Sequence, residues 1–95
     1  MKIKWTPRSK SDYISIIDHL HQNWTEKELM RFINKTEKVL MLISKTPHMF
    51  PVAQNKNVRK CVLTKQVLLF YAIRKNEVEL LSFWGSKQDQ RRLKL

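Results

Sequence analysis

Apolar positions recur along this chain in three rhythms. The first is brief. Lys2-Ile3-Lys4-Trp5-Thr6 alternates polar and apolar, the two-residue period of a half-buried strand. Pro7 is expected to end that strand, because proline donates no ladder hydrogen bond. The second rhythm is helical and occurs twice. Tyr13, Ile16, Ile17 and Leu20 are spaced i, i+3, i+4, i+7, which puts them on one helix face, with Ser9 or Ser11 as cap and Asp12 in the first turn. Leu29, Phe32, Ile33, Thr36, Leu40 and Ile43 form a second stripe, widened toward its end by Val39, Met41 and Leu42. Thr25-Glu26-Lys27-Glu28 opens this helix as a capping box, and Trp24 ahead of it is placed to staple against Leu29. Glu28 and Arg31, and separately Asn34, Lys35 and Lys38, fall on its outer face. The few residues between the helices predict an antiparallel hairpin.

The third rhythm is the densest. Val58–Leu63, Val67–Ile73 and Val78–Trp84 are rich in Val, Leu, Phe, Tyr and Trp. Short polar breaks separate them, Thr64-Lys65-Gln66 and Arg74-Lys75-Asn76-Glu77, which predicts a three-stranded antiparallel meander. Between helices and meander, residues 45–57 carry Pro47 and Pro51 and are expected to be irregular, with Met49, Phe50 and Val52 tucked against the core. After Trp84 the chain turns polar and basic.

Strand side chains alternate between faces. In the central run Val67, Leu69, Tyr71 and Ile73 share one face, and Leu68, Phe70 and Ala72 the other. In the last run Val78, Leu80, Ser82 and Trp84 alternate with Glu79, Leu81 and Phe83. Both faces are apolar, yet one helical hairpin covers only one of them. The other is expected to meet a second cover, best supplied by another chain, because a soluble monomer seldom leaves such a patch open.

Composition sharpens this picture. The chain has 95 residues, enough for one domain over residues 1–95, and its 42% hydrophobic content places it in the globular class. The net charge of +11 is uneven. Residues 1–55 hold 9 basic and 5 acidic side chains, a net +4, and residues 56–95 hold 10 and 3, a net +7. Such an excess points to an acidic or polyanionic partner. The lone Cys61 excludes an internal disulfide. His19 and His21 are two apart and diverge on a helix, so no metal site and no cofactor is expected. No apolar run is long enough for a membrane span and no secretory signal opens the chain, so a cytoplasmic location is expected.

A strand, a helical hairpin, a proline-containing loop, a meander and a basic tail, in that order, resemble the RelE/ParE superfamily of bacterial type II toxin–antitoxin systems. The residues that carry the resemblance are Ile3-Lys4-Trp5-Thr6, Asn57-Val58-Arg59-Lys60 and the run from Val78 through Trp84 to Asp89. It implies an α+β fold of order β-α-α-β-β-β, with the hairpin packed on one face of an antiparallel sheet. It also implies a small basic toxin held inactive by an acidic antitoxin. RelE-like members cut mRNA in the ribosomal A site, whereas ParE-like members poison DNA gyrase without catalysis of their own. This chain departs from the nuclease pattern: no Tyr or His follows Trp84, and no Arg interrupts Val67–Tyr71. A gyrase poison is therefore the favoured expectation, with a RelE-like mRNA interferase as the alternative and no catalytic residue assigned. Candidate target or phosphate contacts are Arg59, Lys60, Lys65, Arg74, Lys87, Arg91 and Arg92. Candidate antitoxin-facing residues are Leu68, Phe70, Leu81, Phe83 and Trp84.

Overall fold

The computed structural model describes residues 1–53, 57–85 and 93. The elements follow the expected order: β1 (Lys2–Trp5), α1 (Pro7–Asn23), α2 (Glu26–Lys45), β2 (Val58–Val62), β3 (Val67–Arg74) and β4 (Glu77–Gly85). The strands form one sheet of order β1-β4-β3-β2. The meander β2–β4 is antiparallel, as the short breaks predict, but β1 runs parallel to β4, pairing Ile3 with Val78 and Trp5 with Leu80. The sheet is therefore mixed. Its parallel pair is the one joined through the helices, since parallel strands need a long crossover.

Pro7 starts α1 rather than merely ending β1. Thr6 is the N-cap. Its hydroxyl accepts from Ser9 N at 3.1 Å, and Ser9 Oγ accepts from Thr6 N at 3.0 Å. Proline suits the first helical position, where the missing N–H would have had no partner. Ser9 is thus the third residue of the helix and fully buried, and neither it nor Ser11 is the cap. The capping box at Thr25 and Glu28 forms as read, with Glu28 N donating to Thr25 Oγ1 at 3.1 Å.

The β3–β4 turn is tighter than its four polar residues suggest. Arg74 pairs with Glu77, leaving Lys75 and Asn76 as a two-residue loop with φ of 51° and 62°. Two left-handed residues make the turn whose twist matches a hairpin. Asn76 tolerates that conformation well, and Lys75 adopts it at a cost of about 1 kcal/mol.

The main core lies between helices and sheet. Leu20, Leu29, Phe32 and Ile43 from the helices meet Cys61, Leu69, Tyr71, Val78, Leu80 and Phe83 from the strands. Four aromatic rings tie the layers together. Phe83 lies 5.5 Å from Trp5 and 5.1 Å from Tyr13, and Tyr13 lies 6.1 Å from Phe32. Of the three apolar loop residues expected at the core, Phe50 packs here, whereas Met49 and Val52 are exposed, contrary to expectation.

Phe83 therefore sits on the helix-covered face, opposite to the side that strict alternation assigns it. The cause is a β-bulge. Phe70 pairs with Ser82 but Tyr71 pairs with Leu80, so Leu81 is an extra residue on β4. Past the bulge the faces exchange. Phe83 joins Leu69 and the helices, while Trp84 joins Leu68.

Candidate functional site

The second face of the sheet is closed. Val58, Leu68, Phe70, Ala72 and Leu81 form a buried cluster with Leu93, flanked by Ala53 and Trp84. Phe70 is 1% exposed and Leu81 8%. The cover expected from another chain is supplied by this chain itself, because Leu93 and Ala53 fold back over the strands. Of the five residues expected to face a partner, Phe83 is on the other side and Leu68, Phe70 and Leu81 are buried. Trp84 alone is partly exposed.

The expected basic contacts scatter. Arg59 and Lys60 are neighbours on β2, paired with Tyr71 and Phe70, so their side chains leave opposite faces. Lys65 is exposed in the β2–β3 turn, and Arg74 lies at the far end of β3. The strand from Val67 to Arg74 separates those two ends by roughly 23 Å. Arg74 is already paired with Glu79, its Nη1 at 3.2 Å from Oε1. Lys87, Arg91 and Arg92 lie outside the described residues.

Arg59 is engaged with the chain. Its Nη1 donates to the carbonyl oxygens of Phe50 at 2.6 Å and His48 at 3.0 Å. Backbone bonds reinforce this clamp: Ala53 N donates to Val58 O, and Lys60 N to Pro51 O. Together they lay the proline-bearing loop along the outer edge of β2. Tyr71, directly opposite Arg59, completes it by donating its hydroxyl to Pro47 O at 2.6 Å. Burial pushes the Tyr71 phenol up to about 12, with the Arg59 charge opposing in part. Burial likewise pushes the Cys61 thiol from 9.0 up to about 11, opposed by Lys35.

These two shifts set an alkaline limit. In the unfolded chain the thiol and the phenol ionise near 9.0 and 10.0, while the folded chain holds both protons about two units longer. The unfolded state then binds fewer protons, and stability falls as pH rises. The melting temperature is expected to be flat to about pH 8.5 and to decline from pH 9 through 11 to 12. A Tyr71→Phe variant should lose part of the decline above pH 10, the rest coming from Tyr13, whose phenol is likewise raised by burial. Equal slopes in both proteins there would detach Tyr71 from it.

Two features went unread in the sequence. Asp12, from α1, reaches the bulge: its Oδ2 accepts from Ser82 Oγ at 2.7 Å and from Phe83 N at 3.1 Å. A sequence motif gives no sign of this pairing across 70 residues. The other is a groove of about 700 Å³ along α2, lined by Lys27, Arg31, Lys35 and Lys38 with Met30 and Leu42 among them. The spacing of these cations was visible, but charged positions on an outer helix face are ordinarily just solvated. Among the described residues, no cluster of His, Cys, Asp or Glu is able to hold a metal ion, and no helix is long and apolar enough to cross a membrane.

This geometry has known counterparts. A chromosomal ParDE toxin–antitoxin system from P. aeruginosa contains a chain that superposes with a TM-score of 0.75 at 15% identity, covering 90% of this chain and 95% of that one. A copper-bound mutant toxin from Helicobacter pylori matches with a TM-score of 0.66 at 16% identity, covering 90% and 94%. YoeB from Staphylococcus aureus, solved as a dimer, matches with 0.59 at 15%, covering 86% and 92%. At these identities the likeness is one of fold. No curated protein matches the sequence significantly. The family model described as the ParE toxin of the type II toxin–antitoxin system parDE matches residues 3–90. With that match spanning nearly the whole chain, and with helices and sheet arranged as in these toxins, the chain belongs to the ParE toxin family of the RelE/ParE superfamily.

Proposed function

We propose that this toxin acts by binding rather than by cutting: it inhibits DNA gyrase and is held inactive by an acidic antitoxin. The observation that carries this reading is the state of Tyr71. A ribonuclease needs a group that exchanges protons near neutral pH, beside a cation facing the scissile phosphate. Tyr71 is fully buried, donates to Pro47 O and has its phenol pushed up to about 12, so it keeps its proton and meets no substrate. The Arg59 opposite holds loop carbonyls with Nη1. Of the candidate contacts that are described, Lys65 is exposed and Trp84 partly exposed.

One arrangement favours the second reading, an mRNA interferase. His48 is exposed, and its carbonyl lies 3.0 Å from Arg59 Nη1, which keeps an imidazole and a guanidinium on neighbouring residues of the fold.

Purified toxin added to a gyrase supercoiling assay is expected to block supercoiling and accumulate cleaved DNA. Gyrase that works normally under a large toxin excess would sink the proposal. Primer extension on mRNA in a translating extract supplies the other arm. Cuts in the ribosomal A site that disappear in a His48→Ala variant would put the interferase in its place.

A further inference from the structure

We propose that the cleft between α1 and the end of β4 is a pocket for a basic side chain, an arginine above all, of the protein that this toxin inhibits. This rests on the reading of the toxin as one that binds gyrase, and it gives that contact a place and a chemistry. The cleft holds about 620 Å³, within the usual size of a binding pocket. Its floor is apolar, with Ile16 and Leu20 of α1 set against Val67 and Phe83 of the sheet. Trp24, at the C-cap of α1, and Trp84, on β4, both line it.

Asp12 supplies the charge. Among the described residues no lysine or arginine lines the cleft, although the chain carries a net charge of +11. The grooves on α2 and along β1 are lined by four and three cations instead. Both hydrogen bonds to the carboxylate fall on Oδ2, from Ser82 Oγ at 2.7 Å and from Phe83 N at 3.1 Å. Arg8 Nε stops 3.9 Å from the same oxygen, beyond hydrogen-bond reach, and the Asp12 side chain is 27% exposed. Among the described residues Oδ1 accepts nothing. One oxygen thus fixes the carboxylate to the bulge, and the other is left to receive a donor.

The lining selects among ligand chemistries. An uncharged apolar side chain would cover the floor but strand the carboxylate away from water. A nucleotide would bring its phosphates to a carboxylate and no cation. A guanidinium meets every feature. Its plane stacks on an indole, its aliphatic stem lies along the apolar floor, and its fork donates to a carboxylate. Its remaining N–H groups find acceptors at the rim, where the Ser15 hydroxyl and the Gln66 carboxamide are exposed. A lysine would keep the ion pair and lose the planar stack.

The test uses the intact chain. N-acetyl-arginine amide titrated into 15N-labelled toxin is expected to bind with a Kd of about 1–10 mM. It should shift the indole N–H signals of Trp24 and Trp84 more than that of Trp5. N-acetyl-lysine amide should bind at least about threefold more weakly, and the uncharged norleucine analogue should leave these signals in place. Ser15→Lys/Gln66→Lys sets two cations at the rim on exposed positions. It should abolish the arginine shifts and raise the toxin concentration that half-inhibits gyrase supercoiling by about tenfold or more. Ile14→Lys/His21→Lys adds the same charge to exposed positions of α1 outside the cleft and should change either readout less than about threefold. Thermal melts of these exposed-site variants confirm that each is folded. Arginine amide that moves no signal of the cleft would overturn the pocket, as would larger shifts there from guanosine monophosphate. Arginine shifts joined to an unaltered half-inhibition in Ser15→Lys/Gln66→Lys would overturn the proposal and leave the gyrase reading intact. A wild-type toxin without effect on gyrase removes that reading, and the arginine titration then decides the pocket by itself.

Discussion

Phe83→Ala is expected to destabilise the toxin by about 3–4 kcal/mol, the usual cost of truncating a buried Phe. The side chain is 3% exposed and lies against Trp5 and Tyr13, so the substitution opens a void where β1, α1 and β4 meet. For a domain of this size the melting temperature should fall by roughly 15–25 °C. The near-UV circular dichroism contributed by the Trp5–Tyr13–Phe83 group should collapse with it. The neighbouring Trp84→Ala is expected to cost under about 2 kcal/mol, because Trp84 is only half-buried at the margin of the smaller cluster. The contrast tests the bulge. Were strict alternation to hold, Phe83 would face away from the helices and its removal would leave the melting temperature within a few degrees of wild type. That outcome would refute the aromatic cluster and restore Phe83 as a partner-facing residue.

Much of the fold was legible because its signals are local. The stripe from Leu29 to Ile43 and the box at Thr25 and Glu28 define α2 within a residue or two. The three apolar runs give β2, β3 and β4 with small shifts at their ends. Thr6-Pro7-Arg8-Ser9 was equally local but open to two readings. Proline after a strand both ends pairing and starts a helix, and only the buried Ser9 on the far side of Thr6 shows that the second role governs here. Partnerships made across the fold were not legible. Nothing near Leu81 in sequence announces that it is an extra residue, because a bulge is defined by the strand opposite. Nor does the sequence around Leu93 show that this residue joins the cluster of Val58, Leu68 and Phe70.

The same distinction explains the outcome for the candidate site. Chemistry was assigned by residue type, so Arg59 read as a phosphate contact, while Tyr71 read only as one of the apolar-face residues of the central run. Arg59 and Tyr71 together fasten the proline-bearing loop to β2 and β3, a use set by where that loop lies. An exposed charge needs no such engagement, which is why the row on α2 stands out only after the other cations have been placed. Among the described cations of the sheet, Arg59 holds loop carbonyls and Arg74 pairs with Glu79, whereas Lys27, Arg31, Lys35 and Lys38 line the outer face of α2.

Asp12→Ala is expected to cost about 2–3 kcal/mol, an unusual penalty for a residue at the rim of a helix. The carboxylate accepts two hydrogen bonds at the bulge, and its loss strands the Ser82 hydroxyl, which is fully buried, together with the Phe83 amide. Stranding buried donors costs more than the bonds themselves contribute. Ser82→Ala removes a donor together with its need for an acceptor, so it should cost about 1 kcal/mol or less. In the Asp12→Ala/Ser82→Ala cycle a coupling of about 1–2 kcal/mol is expected, since the two groups are in direct contact. Calorimetric unfolding of the four proteins measures it, and a coupling near zero would show that Asp12 stabilises some other group. Hydrogen exchange decides whether the contact holds the bulge itself. If Asp12 pins Phe83 N, that amide should speed up in Asp12→Ala by more than the loss of global stability explains, because the bulge opens locally before the sheet does. Acceleration shared evenly by all core amides would mean that strand pairing holds the bulge unaided, and that the turn of Phe83 toward the helices is set by the aromatic cluster alone.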